Sequence, residues 1–273
     1  LVLLPIAGIN LALVGVFVAG MLLGSDAVDF RTYHAAPGRY GDGTLYESAE
    51  DWYGWRYSPL AVPLFWAVTW VGEATWRLLH VAALFLLPGW ARWVALASFP
   101  FWFDVFAGNV MTFVLVAAYW ALRGNRWALG IFLVLSLLIP RPLMLPIAAW
   151  LLWRHRDWIV PMGLVLVLNA VAVWLTGYAD DWALVLVSTG SELSASVNVG
   201  PSAFIGVWWM LIAVPLAAFF LWRGFPATSG LLLQPYWLPY YLLMPLGDLV
   251  RGGRADARQP RTRRASRSAS SIE

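Results

Sequence analysis

The chain has 273 residues, of which 61% are hydrophobic and only 12% are charged, and its mean hydropathy is +0.69. An ordinary soluble domain is about 25% charged. This balance excludes a soluble globular enzyme, a disordered chain and a nucleic-acid-binding domain, despite a pI near 9.4, and points to an all-α polytopic membrane protein.

The first apolar run covers residues 2–23 and is long enough to span. It has no basic leader and no small-residue cleavage site, so it reads as a retained helix and not a signal peptide. A polar loop follows at 24–57, with net charge −3. Further apolar runs occupy 58–72, 75–90, 93–107, 109–122, 127–139, 143–153, 158–176, 203–222 and 229–247. Several are shorter than the roughly 20 residues of a full span. That pattern predicts about eight to ten helical segments, some short or re-entrant and packed inside the protein. A membrane domain over 1–247 is thus expected, with a first outer loop at 24–57 and a second at 177–202.

All 18 basic residues are arginine. Arg92, the Arg123/Arg126 pair and the Arg154/Arg156 pair mark three breaks as cytoplasmic, and Arg223 marks a fourth. The alternate breaks then face outward: Gly108-Asn109, Pro140-Arg141-Pro142, and the 177–202 loop with Asp180, Asp181 and Glu192. Residues 248–273 carry seven arginines among serines and read as a disordered basic cytoplasmic tail. Its expected partner is an anionic lipid surface; a solvated tail without a partner fits as well.

The chain has no cysteine, and His34, His80 and His155 are too scattered for a metal cluster. No phosphate-binding loop, dinucleotide fingerprint or nucleophile elbow occurs. Embedded acids and amides are few: Glu73, Asp104, Asn109 and Asn169. The first loop stands out, because it mixes Tyr33, Tyr40, Tyr46, Trp52, Tyr53, Trp55 and Tyr57 with acids and glycines. Aromatic faces beside hydrogen-bonding edges suit a sugar ring; the same rings also suit a membrane interface. Asp29 follows the first helix in a half-apolar setting, where a carboxylate can act as general base on an alcohol. Alternatively Asp26 or Asp29 caps a short helix, and Asp26 competes with Asp29 for any catalytic role. Arg141 lies between two short runs on the arginine-poor side. It either grips a lipid phosphate, snorkels to headgroups, or pairs with Asp104.

These residues resemble glycosyltransferase family 87, the polyprenol-phosphate-sugar-dependent, mannosyltransferase-like group with the membrane-embedded GT-C fold. The resemblance is carried over residues 10–245 by four stretches. Asp29-Phe30-Arg31-Thr32-Tyr33-His34-Ala35-Ala36 is like the family's Asp-x-x-x-Tyr-x-Ala-Ala. Gly43-Thr44-Leu45-Tyr46 and Tyr57-Ser58-Pro59-Leu60 are like its Gly-x-x-Leu-Tyr and Tyr-x-Pro-Pro elements. Gly108-Asn109 stands at the place of the family's Gly-Gln/Asn-x-Asn element, and Pro140-Arg141-Pro142 at the place of a Lys-Pro element. Two features depart from the pattern: the stretch Gln234 to Tyr241 lacks the family's His-Tyr pair, and the chain is short.

The resemblance implies a hexosyltransferase of the cell membrane that works on the outer face; neither a cofactor nor a metal ligand is identified. Asp29 would activate the acceptor, a glycolipid or envelope glycan. Arg141, with Tyr240 and Tyr241, would hold the phosphate of the polyprenyl-phosphate donor. Tyr33, Tyr46, Tyr57 and Asn109 would contact sugar, mannose being the family's usual one. A non-catalytic scaffold of the same fold is the first rival reading, and a lipid or small-molecule transporter the second.

Overall fold

A computed structural model describes residues 3–47, 54–187 and 198–249. Trp52, Tyr53, Glu192 and residues 250–273 of the expected tail lie outside the described residues. Among those described, every regular element is a helix.

The apolar runs become helices, more numerous than the eight to ten helical segments expected, and several of them short. In chain order they are α1 (Leu3–Leu22), α2 (Val28–Gly41), α3 (Val62–Trp66), α4 (Glu73–Leu84), α5 (Gly89–Leu96), α6 (Phe99–Ala107), α7 (Met111–Leu122), α8 (Arg126–Leu138) and α9 (Leu145–Arg154). Then come α10 (Ile159–Leu175), α11 (Ala179–Val187), α12 (Ser202–Ile205), α13 (Trp209–Trp222), α14 (Pro226–Leu233) and α15 (Leu246–Leu249). Both expected outer loops contain a helix, α2 in the first and α11 in the second. The segment 58–72 is a 3₁₀ turn, α3 and a second 3₁₀ turn.

Three helical stretches are long and apolar enough to cross a membrane: Leu4–Leu22, Arg156–Leu175 and Ser202–Trp222. Their outward faces are apolar; Trp174, for example, is 71% exposed. Lipid can cover such surfaces at no cost, and water cannot. Of the shorter helices, α7 is the one enclosed by its neighbours. α7 is apolar on every side and is buried along nearly its whole length, as an all-round hydrophobic helix must be.

Arg92, Arg123, Arg126, Arg154 and Arg223 lie at one end of this bundle. Arg123, Arg154 and Arg223 follow the last residues of α7, α9 and α13 or close them, and each stacks on an aromatic ring one turn back: Tyr119 at 4.6 Å, Trp150 at 5.0 Å and Phe219 at 5.7 Å. Arg126 pairs with Asp157 at 2.6 Å, tying the start of α8 to the turn after α9. Trp120 donates to the Leu86 carbonyl at 3.0 Å, which brings in the turn that Arg92 also holds. The Gly108-Asn109 and Pro140-Arg141-Pro142 breaks lie at the other end of α7 and α8. The 12 residues of α7 separate the two ends by about 18 Å.

Most of these helices start without a local side-chain cap. Remote side chains supply the missing acceptors for N–H groups that start a helix without a partner. The expected span 93–107 is broken at Ala97-Ser98, just before Phe99-Pro100. Asn10 of α1 closes the break: its Oδ1 accepts from Phe99 N at 2.9 Å and its Nδ2 donates to the Ala97 carbonyl at 2.7 Å. Ser98 Oγ donates to Ala95 and Trp102 Nε1 to Leu96, each at 2.8 Å. Asp104 caps α7, accepting from Thr112 N at 2.9 Å and from Thr112 Oγ1 at 2.5 Å. Asp248 caps α14 through Ala227 N at 3.1 Å and Thr228 N at 2.6 Å. Asp248 therefore belongs to the folded body and not to the tail in which it was expected.

Asn10→Ala removes both arms of the α1–α6 clasp. Each orphaned backbone group costs about 1–3 kcal/mol. Thermal unfolding in detergent is expected to show a lower Tm than wild type; an unchanged Tm would mean the clasp contributes nothing.

Candidate functional site

Asp29 sits in the first turn of α2, yet neither it nor Asp26 caps that helix; the N-cap residue is Ala27 and makes no side-chain bond. Asp26 is exposed and ion-paired with Arg31. Asp29 is half-buried and turns toward the interior, where its Oδ2 accepts from Asn109 Nδ2 at 2.8 Å. The Asn109 amide is oriented by its other end, whose Oδ1 accepts from Met111 N at 3.2 Å. α2 lies outside the three stretches that are long and apolar enough to cross a membrane. Burial raises the Asp29 pKa to about 6; the Asn109 hydrogen bond and then the charges of Arg141 and Arg56 hold it from going higher. Near neutral pH the group is largely a carboxylate and remains a competent proton acceptor.

Residues from four distant parts of the chain surround it. Arg141 precedes the 3₁₀ turn Pro142–Met144 and donates from Nη1 to the Tyr236 hydroxyl at 2.9 Å. Its guanidinium carbon lies 5.4 Å from the centre of the Tyr57 ring. Tyr57 and Tyr33 share a hydrogen bond between their hydroxyls at 2.9 Å. Tyr240 and Tyr241 meet edge to face at 4.9 Å, and Tyr241 lies 6.2 Å from Tyr236. All four of Tyr57, Tyr236, Tyr240 and Tyr241 are near enough to Arg141 to interact with its charge, and Tyr240 also feels Asp29.

The residues singled out in the sequence thus come together: Asp29, Asn109, Arg141, Tyr33, Tyr57, Tyr240 and Tyr241. Tyr46 supports the group from behind. Its hydroxyl is spent on the Tyr57 carbonyl at 2.7 Å, and its ring meets Tyr178 at 5.7 Å. The alternative pairing of Arg141 with Asp104 does not occur, because the Asp104 carboxylate caps α7 and its other neighbour is His80, at 4.0 Å. Snorkelling is not seen either, since Arg141 is held inward by Tyr236.

Sequence reasoning missed Tyr236, although it stands in the same Pro-Tyr stretch as Tyr240 and Tyr241. It also missed Arg56, which sits directly before Tyr57. Gly230 was invisible as well. A Cβ there would fall 1.9 Å from the Leu143 carbonyl oxygen, so only glycine lets α14 reach the turn beside Arg141. Gln234 reinforces that contact by accepting from Leu143 N at 3.3 Å. Gly230→Ala forces two backbones apart, which places it at or beyond the upper end of the usual overpacking cost of about 1–3 kcal/mol. The expected readout is a large fall in Tm or in folded yield; wild-type stability would show that α14 can slide away freely.

No family model, no curated protein and no solved structure matches the chain.

Proposed function

We propose that the chain is a membrane-embedded glycosyltransferase that moves a hexose from a polyprenyl-phosphate donor to a glycolipid or envelope acceptor. The observation that carries this reading is the pairing in one cluster of a half-buried carboxylate, Asp29, with a guanidinium, Arg141, whose ordered partners are phenols. Among the described residues no carboxylate lies within ion-pair distance of Arg141. A cation so placed favours an anionic ligand. A base beside an anion site is the minimum equipment for displacement at an anomeric carbon bearing a phosphate.

In the proposed step the acceptor hydroxyl gives its proton to Asp29 as its oxygen bonds to the anomeric carbon. The bond from that carbon to the phosphate oxygen breaks, and polyprenyl phosphate leaves with the electron pair. Arg141 and the Tyr236, Tyr240 and Tyr241 hydroxyls stabilise the added negative charge. A phosphate needs no acid catalyst to leave, so one carboxylate is sufficient where a glycosidase uses two. A single displacement inverts the anomeric configuration. The cluster lies at the end of the bundle that carries the Gly108-Asn109 and Pro140-Arg141-Pro142 breaks, the end expected from the sequence to face outward.

The test is transfer of radiolabelled sugar by the purified chain in lipid nanodiscs. Label should move from a synthetic polyprenyl-phosphate sugar to a glycolipid fraction and not from a nucleotide sugar. Transfer from the nucleotide sugar alone, or uptake into vesicles without any transfer, would sink the proposal.

A further inference from the structure

Behind Asp29 lies a second layer that touches none of the reacting groups. Trp76 and His80 stand one turn apart on the same face of α4. Trp76 Nε1 donates to the Gly108 carbonyl at 2.8 Å. His80 Nε2 contacts the carbonyl of the next residue, Asn109, and His80 Nδ1 lies 2.8 Å from the Trp76 carbonyl. The His80 ring is fully buried and is wedged between Trp76 at 5.2 Å and Phe113 at 4.7 Å. Two consecutive peptide groups of the α6–α7 link are therefore gripped from one helix.

The link has little freedom to answer that grip except by turning as a unit. Gly108 has φ +71°, and a Cβ there would lie 2.8 Å from Phe30 Cβ and 3.2 Å from Phe30 N. The backbone of α2 beside Asp29 thus rests directly on the backbone beside Asn109. Their side chains meet at the resulting height, with the 2.8 Å bond between them.

We propose that Trp76 and His80 are positioning residues of the site: by holding the Gly108 and Asn109 carbonyls they aim the Asn109 amide at Asp29. This rests on the transferase reading, since aiming a hydrogen bond at a base matters for a base that works. The consequence is nevertheless measurable without substrate. The Asn109 bond stabilises the charged carboxylate, so losing it shifts Asp29 toward the protonated form.

The experiment follows the Asp29 carboxyl band by infrared titration of the full chain in nanodiscs, with Asp29→Asn subtracted to assign it. Asn109→Ala should raise the midpoint by roughly one pH unit. His80→Leu should raise it similarly, and Trp76→Phe in the same direction, whereas His80→Gln, which keeps an N–H for the Asn109 carbonyl, should stay near wild type. A purely structural role would lower Tm in His80→Leu and leave the midpoint where it was. The proposal is overturned if Asn109→Ala moves the midpoint while His80→Leu and Trp76→Phe do not, or if Asn109→Ala does not move it. Should His80→Leu fail to fold, Trp76→Phe decides by the same readout. Absence of sugar transfer in the separate assay would defeat the transferase reading and leave this titration unaffected.

Discussion

Asp29→Asn is expected to insert, fold and bind as wild type does, with transfer reduced about 10²–10⁴-fold. Asparagine matches the shape of the side chain and can still face the Asn109 amide, but it cannot take up the acceptor proton. The pH profile has a definite sign. The active species is the carboxylate, so the wild-type rate rises with pH through about 6 and is level above it. Stability runs the other way. The folded pKa lies above the unfolded value near 3.8, so the folded state favours the proton, and stability falls as pH climbs from 3.8 to about 6. Asp29→Asn removes that penalty. Its Tm at pH 7.5 should equal or exceed that of wild type, and the gap should close below pH 4. Asp26→Asn, which breaks only an exposed ion pair with Arg31, should leave transfer unchanged. A full rate in Asp29→Asn with loss in Asp26→Asn would move the base to Asp26.

Much of this site could be read from the chain because its chemistry is scarce. With few charges in the apolar body, Arg141 was conspicuous by standing where the arginine bias does not put one, and Asp29 by its half-apolar neighbours. What brings the two together was not readable. It depends on Gly230 touching the Leu143 carbonyl and on Gly108 touching Phe30, which are tertiary contacts with no local pattern. The remote caps were hidden for the same reason: Asn10 looks like an isolated amide in an apolar helix until Phe99 is found beside it. Helix α2 was legible only as the alternative in which Asp26 or Asp29 caps a short helix, because Val-Asp-Phe-Arg-Thr-Tyr-His is too polar to read as an apolar run. The break at Ala97-Ser98 did carry a signal, since proline is favoured in the first turn of a helix, where its missing N–H is not needed. Ser98-Phe99-Pro100 opens α6 at that point.

Arg141→Leu should lower transfer by about 10²–10³-fold, the usual cost of losing one preorganised donor to a developing anion. The fall should lie mainly in kcat. The donor phosphate already carries one charge when it binds, and gains a second only as the sugar leaves, so the guanidinium interacts most strongly with the transition state. KM for the donor should rise less. Arg141→Lys separates charge from shape. It keeps the cation but loses the planar fork that reaches Tyr236 and lies over Tyr57, so it should fall between wild type and Arg141→Leu. Arg141→Leu also leaves the Tyr236 hydroxyl without its donor, so Tm is measured beside kcat. A lower Tm with unchanged kcat in Arg141→Leu would make the arginine a structural clasp on Tyr236 and remove the anion site from the mechanism. A kcat loss at unchanged Tm that lysine partly recovers, and that persists at a pH well above the Asp29 pKa where the base is ionised in either protein, is the pattern expected of a charge facing the leaving group.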